Sequence, residues 1–271
     1  MSEPEIRYSV EDLLRVMQRL RDPKTGCPWD IAQTFKSIVP STLEECYELA
    51  EAIELEDYPH VAEELGDVLF QVIFYAQLGR EQKLFEFGDV VHTLVDKLLR
   101  RHPHVFHRGL LEGVVQGTVS VEQVKESWED IKRSERDAKK QSGVLDDVPL
   151  ALPALPRAQK LQKRAAGVGF DWPGSEGVIA KLREELAELN EAVESGQADA
   201  IEDEMGDVLF TCVNLARHLG VDSETSLRRS SNKFESRFRR VEALALEQHQ
   251  SLDQLDDAAL DVLWETAKVQ S

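Results

Sequence analysis

One acidic pattern occurs twice in this chain, with every member of the second copy at the same offset from the first, so that Glu44 corresponds to Glu184. The first copy is E-E-x-x-E at residues 44–48 followed by E-x-x-D at residues 64–67, and the second copy lies at residues 184–188 and 204–207. Between residues 44 and 76, 14 of 33 positions are identical to their partners at residues 184–216, without a gap. Average amino-acid composition would give about two or three identities by chance. The chain therefore contains an internal duplication, which predicts two domains of the same fold.

The spacing of apolar residues predicts that both domains are helical. Apolar side chains recur at steps of three and four along most of the chain, and strand-like alternation of any length is absent from the sequence. The predicted fold class is all-α, with two tandem helical bundles. The predicted helices cover about residues 9–21, 40–54, 59–78, 88–101 and 121–140 in the first half, and 156–166, 176–195, 199–219, 223–248 and 252–268 in the second.

Proline and glycine indicate where the helices and domains end. A segment with three prolines, residues 143–156, is predicted to be a linker between an N-terminal domain at residues 1–142 and a C-terminal domain at residues 157–271. Turn-rich sequences predict loops at residues 22–30, 102–120 and 167–174. The second of these loops contains several glycines and has room for a short hairpin.

The charge of the chain limits the partners that it can bind. Its 51 Asp and Glu residues against 32 Lys and Arg give a formal net charge of −19, so neither nucleic acid nor an anionic membrane is expected as a direct partner. An anionic substrate would need a metal ion or a local basic cluster. The sequence shows no signal peptide or membrane span, and its three cysteines form neither a disulfide framework nor a zinc spacing. A soluble, cytoplasmic protein is expected.

Carboxylates at helical spacing predict a metal site in each half. Residues three and four apart share one helix face, so Glu185 and Glu188 project together, as do Glu204 and Asp207 on the next helix. Four carboxylates that converge between two neighbouring helices would repel one another without a cation. An all-oxygen ligand set favours Mg²⁺, with Mn²⁺ as the alternative, over zinc. The equivalent residues of the first half, which predict a second site, are Glu45, Glu48, Glu64 and Asp67.

The acidic pattern has interpretations other than metal binding. A single E-E-x-x-E is more often a solvated helix face than a metal site. The repeat favours metal binding, as do Gly66 and Gly206 beside the last Asp of each copy, since glycine inside a helix costs about 1 kcal/mol relative to alanine. A di-iron carboxylate bundle would require Glu-x-x-His motifs, which the pattern does not contain. A Nudix hydrolase motif is present only as a fragment at residues 183–185.

Basic residues in the second half are candidates for holding phosphate. Asn232, Lys233 and Arg237 can share one face of a basic helix, which suits phosphate capture by Arg and Lys. An ordinary salt-bridged helix has the same composition. The first half has Asp96 at the comparable place, and its negative charge would repel a triphosphate.

Several other side chains have two interpretations. Three tryptophans lie in loops or near the C-terminus, and each could stack on a base or fill a core: Trp29, Trp172 and Trp264. Cys46 and Cys212 fall on apolar helix faces and are predicted to be core residues. The histidines of segment 102–107 are predicted to pack in a loop rather than bind metal.

Taken together, the motifs resemble a known family. E-E-x-x-E, a 15-residue gap and E-x-x-D are similar to the all-α nucleoside triphosphate pyrophosphohydrolases. The tandem arrangement resembles the MazG family in four further stretches, which are CPWD (27–30), RRHPHVF (100–106), VGFDW (168–172) and NKFESRF (232–238). The resemblance implies Mg²⁺-dependent hydrolysis of nucleoside and deoxynucleoside triphosphates to monophosphate and pyrophosphate. It also implies broad base tolerance, a homodimer and activity mainly in the C-terminal half.

The resemblance gives each candidate residue an expected role. The metal would be bound by Glu185, Glu188, Glu204 and Asp207, with Glu184 as the base that orients water. The substrate would be held by Asn232, Lys233, Arg237 and Trp172, of which Lys233 and Arg237 balance the charge of the leaving pyrophosphate. Two alternatives stay open: a Mg²⁺-dependent phosphohydrolase with a narrower substrate, such as a modified deoxynucleotide or an alarmone, and an interaction module with a non-catalytic half.

Overall fold

The computed structural model of the protein describes residues 7–113, 119–124, 127–128, 131, 135, 143–146 and 148–270. Across these residues the chain forms α-helices, short 3-10 turns and loops without a β-strand, which confirms the all-α class. None of the described helices is long and apolar enough to cross a bilayer. The chain divides into two compact units, residues 1–132 and 133–271. The precise domain bounds and the linker stay predictions.

The first unit is built around a pair of long antiparallel helices. Its helices are α1 (Val10–Leu20), α2 (Pro28–Ala32), α3 (Val39–Glu54), α4 (Tyr58–Glu81) and α5 (Phe87–Arg101), followed by a 3-10 turn at His107–Gly109. A capping box closes the start of α1, because Ser9 and Asp12 each accept the backbone N–H of the other. Asp57 caps α4 and Pro59 lies in its first turn, where a missing N–H costs no helical bond.

The core of the first unit fixes how α4 is rotated. Five nearly fully buried residues form one cluster between α1, the start of α3 and α4, namely Met17, Ile38, Ile73, Phe74 and Leu78. The guanidinium carbon of Arg21 lies 5.2 Å from the centroid of the Phe74 ring. On the same helix, Glu64 lies before this buried segment, and its carboxylate reaches those of Glu45 and Glu48 on α3.

The second unit repeats the helix pair and adds a C-terminal hairpin. Its helices are α6 (Ala154–Ala166), α7 (Ser175–Ser195), α8 (Ala198–His218), α9 (Ser223–Glu247) and α10 (Asp257–Gln270), with a 3-10 turn at Leu252–Gln254. Gly196 ends α7 in the left-handed region at φ 69°, which glycine adopts without strain. The Gln162 side chain donates to the Phe210 carbonyl at 2.8 Å and so links α6 to α8. A second core cluster, which includes Val241 and Leu263, joins α9 to α10.

Most predicted helices agree with the structure, and two details differ. Eight of them match to within three residues at each end, whereas the predicted helix 121–140 lies largely outside the described residues. The predicted loop 22–30 ends early, because Pro28 begins the short helix α2. The predicted helix 252–268 is instead a 3-10 turn followed by α10. In segment 102–120, the N–H of His107 donates to the carbonyl of Gly113 at 3.3 Å, and the hairpin stays a prediction.

The prediction that Cys46 and Cys212 are core residues was wrong, since both are exposed. Each lies on an apolar helix face, as predicted, but that face does not pack inside its own unit. Leu43 and Tyr47, on the same side of α3 as Cys46, are also at least half exposed. Apolar periodicity identifies the apolar face of a helix, but it does not identify which element packs against that face.

Replacing Phe74 by Ala tests the core that sets the rotation of α4. Phe74 is fully buried, so the substitution is expected to lower the free energy of unfolding by about 3–5 kcal/mol. Leu55→Ala is the control, because Leu55 is 67% exposed and its loss should change stability by about 0.5 kcal/mol or less. Urea denaturation followed by circular dichroism measures both. Equal effects of the two substitutions would contradict the assigned core.

Candidate metal centre

Each long helix pair brings three carboxylates together. In the first unit, carboxylate oxygens of Glu45, Glu48 and Glu64 all lie within 4.8 Å of one another, and in the second unit those of Glu185, Glu188 and Glu204 do the same. In both clusters two acids come from the first helix of the pair and one from the second. The internal repeat therefore extends from sequence to geometry, and six of the eight acids proposed as ligands converge in groups of three.

The last Asp of each copy lies outside its three-acid group. Asp67 and Asp207 are both exposed. Asp67 is nevertheless close enough to act on the cluster, because burial first, and then the charges of Asp67, Glu48 and Glu64, raise the pKa of Glu45 above its ordinary value. Burial and a hydrogen bond with Glu185 likewise raise the pKa of Glu188. The raised pKa values mean that the ionised carboxylates are destabilised in both clusters. A bound cation would remove this destabilisation.

One acid of each cluster is deeply buried. Glu64 is 6% exposed and Glu185 is 5% exposed. Among the described residues, the Oε2 atom of Glu64 has no hydrogen-bond partner, although its Oε1 atom lies 2.8 Å from Nε2 of His60. Buried carboxylate oxygens are almost always paired or bound to a cation. The Glu64 oxygen therefore fits a site that a divalent cation completes.

Lys181 is a site residue that the sequence analysis missed. Its Nζ lies 2.7 Å from Oε1 of Glu184 and 2.9 Å from Oε1 of Glu185. Hydrogen bonds to these two carboxylates raise the pKa of Lys181 well above its ordinary value, so the side chain is a permanent cation. Lys181 precedes Glu184 and Glu185 by three and four residues, and this spacing, which is typical of ion pairs on one helix face, could have identified it. The repeat gave no hint, because the equivalent position in the first copy is Ser41.

The predicted phosphate-binding residues lie on a different helix from the acids. Asn232, Lys233 and Arg237 are on α9, which packs against α10, α6 and α8. An aromatic group lies on the same helix, since the ring centroids of Phe234 and Phe238 are 5.9 Å apart and stacked. The Phe234 centroid is also 5.4 Å from that of Trp264. Trp264 thus belongs to the hairpin of α9 and α10, as its core-filling interpretation predicted.

The loop before α7 places Trp172 at the start of that helix. A Cβ atom added to Gly177 would lie 2.4 Å from Cδ1 of Trp172, so the indole occupies space that only glycine leaves open. Trp172 is still 39% exposed. In the first unit, Trp29 is 59% exposed at the start of α2. Neither loop tryptophan fills a core.

Asp171 fastens this loop to the end of α8. Its carboxylate accepts two hydrogen bonds from the Arg217 guanidinium, one of them at 2.9 Å, and lies 3.0 Å from Nε2 of His218. The bonds from Arg217 are the main cause that lowers the pKa of Asp171 to about 2. The buried Asn214 side chain accepts from the other edge of the same guanidinium at 2.7 Å and 3.2 Å. These contacts were not predicted from the sequence.

Duplicated helical domains, each with converging carboxylates between two antiparallel helices, define a class of all-α proteins with tandem helical bundles. The family model described as "MazG nucleotide pyrophosphohydrolase domain" matches residues 33–106 and 174–241 of this chain. The chain belongs to the MazG family.

Two similar proteins extend almost end to end along the chain. A nucleoside triphosphate pyrophosphohydrolase of Escherichia coli K12 is 46% identical over 263 residues, which cover 96% of this chain and 97% of that protein. A nucleoside triphosphate pyrophosphohydrolase/pyrophosphatase MazG of Thermotoga maritima is 46% identical over 258 residues, 95% of each chain. The crystal structure of a mazG-related protein from Thermotoga maritima aligns to 46% of this chain and 99% of its own, with 25% identity and a TM-score of 0.38.

The Asp171 contacts predict a pH-dependent contribution to stability. Asp171→Asn is expected to lower the free energy of unfolding by about 1 kcal/mol near neutral pH, after allowance for solvent screening of this partly exposed pair. The folded pKa of about 2 lies below the ordinary value of 3.8. The stabilisation is therefore complete above about pH 4 and is lost as the pH falls toward 2. Urea midpoints of both proteins from neutral pH to about pH 3 measure this, and a gap that fails to narrow would contradict it.

Proposed function

We propose that the protein is a Mg²⁺-dependent nucleoside triphosphate pyrophosphohydrolase, which releases a nucleoside monophosphate and pyrophosphate. The observation that carries the proposal is the cluster of Glu185, Glu188 and Glu204, whose oxygens lie within 4.8 Å of one another. The cluster occurs in a chain that is 46% identical, over nearly its whole length, to proteins named for this activity. Cleavage between the α- and β-phosphates is the reaction that yields these two products.

The proposed metal ligands are the three clustered acids and Asp207. Their oxygens form the donor set that Mg²⁺ prefers, and Mn²⁺ accepts the same donors. Bound Mg²⁺ supplies charge neutralisation for phosphate oxygens and lowers the pKa of a water. The first-unit set, Glu45, Glu48, Glu64 and Asp67, is proposed as a second cation site, supported by the unpartnered oxygen of Glu64.

The chain's own residues have separate tasks in this proposal. Glu184 orients the attacking water, and its carboxylate is held in place by Lys181 at 2.7 Å. Lys233 and Arg237 balance the negative charge that develops on the leaving pyrophosphate. Asn232 donates to a phosphate or ribose oxygen. Lys181 also cancels part of the charge of the acidic cluster, so that a polyanion can approach it.

Charges around the two clusters support activity in the second unit. Asn232, Lys233 and Arg237 provide two cations and an amide on α9. At the comparable place in the first unit, Asp96 forms an ion pair with Arg100 at 2.8 Å. Lys97 and Arg101 occupy the places of Lys233 and Arg237 in the first unit, so the difference between the units is the acid Asp96 in place of the amide of Asn232. We therefore place catalysis mainly in the C-terminal half.

We propose broad use of ribo- and deoxyribonucleotides, and tolerance of the base follows from the kind of surface that the site offers to it. Trp172 presents an exposed aromatic side chain at the start of α7, the helix that carries three of the proposed active-site acids. Stacking on an aromatic ring tolerates any base, because every base has a π-face. A site that relies on stacking would accept all common bases with similar affinity.

Substitution of one equivalent acid in each unit tests the assignment. Glu185→Ala removes a buried ligand and is expected to lower kcat by more than about 100-fold, beyond the usual loss for outer-shell partners of a metal. Glu45→Ala makes the same change in the first unit and is expected to keep most of the activity. Steady-state pyrophosphate release with Mg²⁺ and a panel of ribo- and deoxyribonucleoside triphosphates measures both.

Three results of this experiment would change the proposal. Loss of activity in Glu45→Ala, with Glu185→Ala still active, would move catalysis to the first unit. Turnover of only one or two triphosphates by the wild type would favour a narrower phosphohydrolase. Absence of pyrophosphate release from every triphosphate would favour an interaction module.

The exposed apolar faces support a homodimer. On the second unit, α7 and α8 expose large apolar side chains at helical spacing, namely Leu186, Val193, Met205, Leu209 and Phe210. The first unit exposes the corresponding kind of face on α3 and α4, with Leu43, Tyr47, Leu65, Leu69 and Val72. Contiguous apolar faces of this kind are rare on monomers. A second copy of the chain, with the same faces, would cover them through a two-fold interface.

The homodimer predicts a specific response to charge on this face. Leu209 is 51% exposed, so Leu209→Glu should leave the unit folded while opposing association by burying a charge. Sedimentation equilibrium is expected to give a dimer for wild type and a several-fold weaker dimer for the variant. Glu202→Gln, an exposed change on the same helix, is the control. A monomeric wild type would refute the homodimer.

A further inference from the structure

Both units fasten the tryptophan-containing segment that precedes their acidic helices to the end of the second acidic helix with an arginine–carboxylate pair. In the first unit, Arg21 donates to Glu81 on α4 from Nε at 2.9 Å and from Nη2 at 2.7 Å. In the second unit, Arg217 on α8 donates to Asp171 of the loop. We call these two pairs the first clamp, Arg21 with Glu81, and the second clamp, Asp171 with Arg217. In the first clamp the helix supplies the acid, whereas in the second it supplies the arginine.

The two clamps lie near the same end of the second acidic helix, but they use different positions of the internal repeat. The residue of the first copy that corresponds to Arg217 is Gln77, and the Gln77 side chain donates to Glu81 at 2.8 Å. The first clamp also reaches its loop directly, because Arg21 donates to the backbone carbonyls of Asp30 and Gln33. Both units therefore hold this segment through the end of the second acidic helix, the first with an acid on that helix and the second with an arginine.

The second clamp orders the loop before α7, whose apolar side chains are too exposed to order it by packing. Val168 is 64% exposed and Phe170 is 80% exposed, so apolar packing contributes little to ordering the segment. Against this, Asp171 has Arg217 and His218 as partners, and Asn214 holds Arg217 from the opposite edge. A planar, bidentate pair fixes direction as well as distance. The contacts therefore fix the position of the loop.

Trp172 is the side chain that this arrangement positions. Its backbone N–H donates to Oδ1 of Asp171 at 3.0 Å, and its indole lies against Gly177 in the first turn of α7. Lys181 follows Gly177 by one helical turn, and Glu185 follows by two, which is about 12 Å along the axis. The indole thus packs against the first turn of the helix that carries the acids, too far along that helix to contact an ion bound by them. A substrate whose phosphates bind at the acids would meet the indole with its nucleoside end if it extends toward the start of α7.

We propose that Asp171 and Arg217 are positioning residues that hold the Trp172 indole as the nucleoside-binding wall of the second-unit site. The inference rests on the proposed function for its substrate and names the part of the substrate that is recognised. The clamp touches neither metal ligands nor phosphate, so its loss acts on substrate binding through Trp172. Trp172 touches the substrate, and Asp171 and Arg217 act only through it.

The test compares substrate binding and turnover in matched variants. Arg217→Met, Asp171→Asn and Trp172→Ala are each expected to raise KM for a nucleoside triphosphate about tenfold, with kcat within about twofold of wild type. Arg217→Met combined with Trp172→Ala should be no worse than either alone, since both remove one interaction. Asp171→Asn keeps the shape of the side chain and so keeps the test available if Arg217→Met fails to fold.

The first clamp provides the matched control. Glu81→Gln makes the same acid-to-amide change as Asp171→Asn in the unit that we do not assign to catalysis, and is expected to leave KM and kcat at wild-type values. Additive effects in the double variant, a fall in kcat at unchanged KM, or an equal rise in KM for Glu81→Gln would each overturn the proposal.

A readout without hydrolysis separates this inference from the proposed function. Acrylamide quenching of Trp172, obtained as the difference from the Trp172→Phe protein, should be about twofold or more stronger in Arg217→Met than in wild type, because a released indole is more accessible. Unchanged quenching would overturn the positioning role even if the enzyme is active. Stronger quenching in a protein that hydrolyses no triphosphate would confirm that the clamp holds Trp172 and overturn its nucleotide-binding purpose.

Discussion

Repulsion between carboxylates that two paired helices force together is the constraint on which the rest of the structure depends. The hairpins of α3 with α4 and of α7 with α8 each bring three acids within 4.8 Å. One acid in each group is almost fully buried, where an unbalanced charge is costly. The raised pKa values of Glu45 and Glu188 record that cost. A fold that keeps such a cluster through a duplication has to keep a source of positive charge beside it.

The two units have met this requirement in different ways. In the second unit, Lys181 on α7 bridges two acids of the cluster's own helix. In the first unit, His60 contacts Glu64 from one turn earlier on α4, and an oxygen of Glu64 is left without a partner in the described part of the chain. A lysine is a permanent cation, whereas a histidine is charged only when protonated. The copies therefore share the arrangement of three acids and differ in the charge that surrounds it.

Much of the fold could be predicted because helix signals are local. The capping box of Ser9 and Asp12, the proline in the first turn of α4 and the spacing of apolar residues each depend on neighbours within a few positions. The convergence of Glu185 and Glu204 was predictable for a related reason, since a short connection forces two helices to lie side by side. Such arguments need only the geometry of a helix and a turn.

Other features depend on contacts that the sequence does not indicate. Arg217 and Asp171 are 46 residues apart, and neither has a local pattern that marks it as half of a pair. Lys181 had a local signal but no counterpart in the first half. Cys46 was misjudged because its helix face is apolar and yet exposed. The spacing of apolar residues identifies the apolar side of a helix, whereas the element that covers that side is known only from the three-dimensional packing.

The exchanged charges of the two clamps also make the halves chemically incompatible with each other. A recombination event that copied the Asp171 loop into the first half would face it with Gln77 and Glu81 on α4. Two acids would then meet where an arginine and an acid now pair. The reverse transfer would bring a second arginine to Arg217. Replacing one of these segments by its duplicate would therefore require its partner residues on the second acidic helix to change as well.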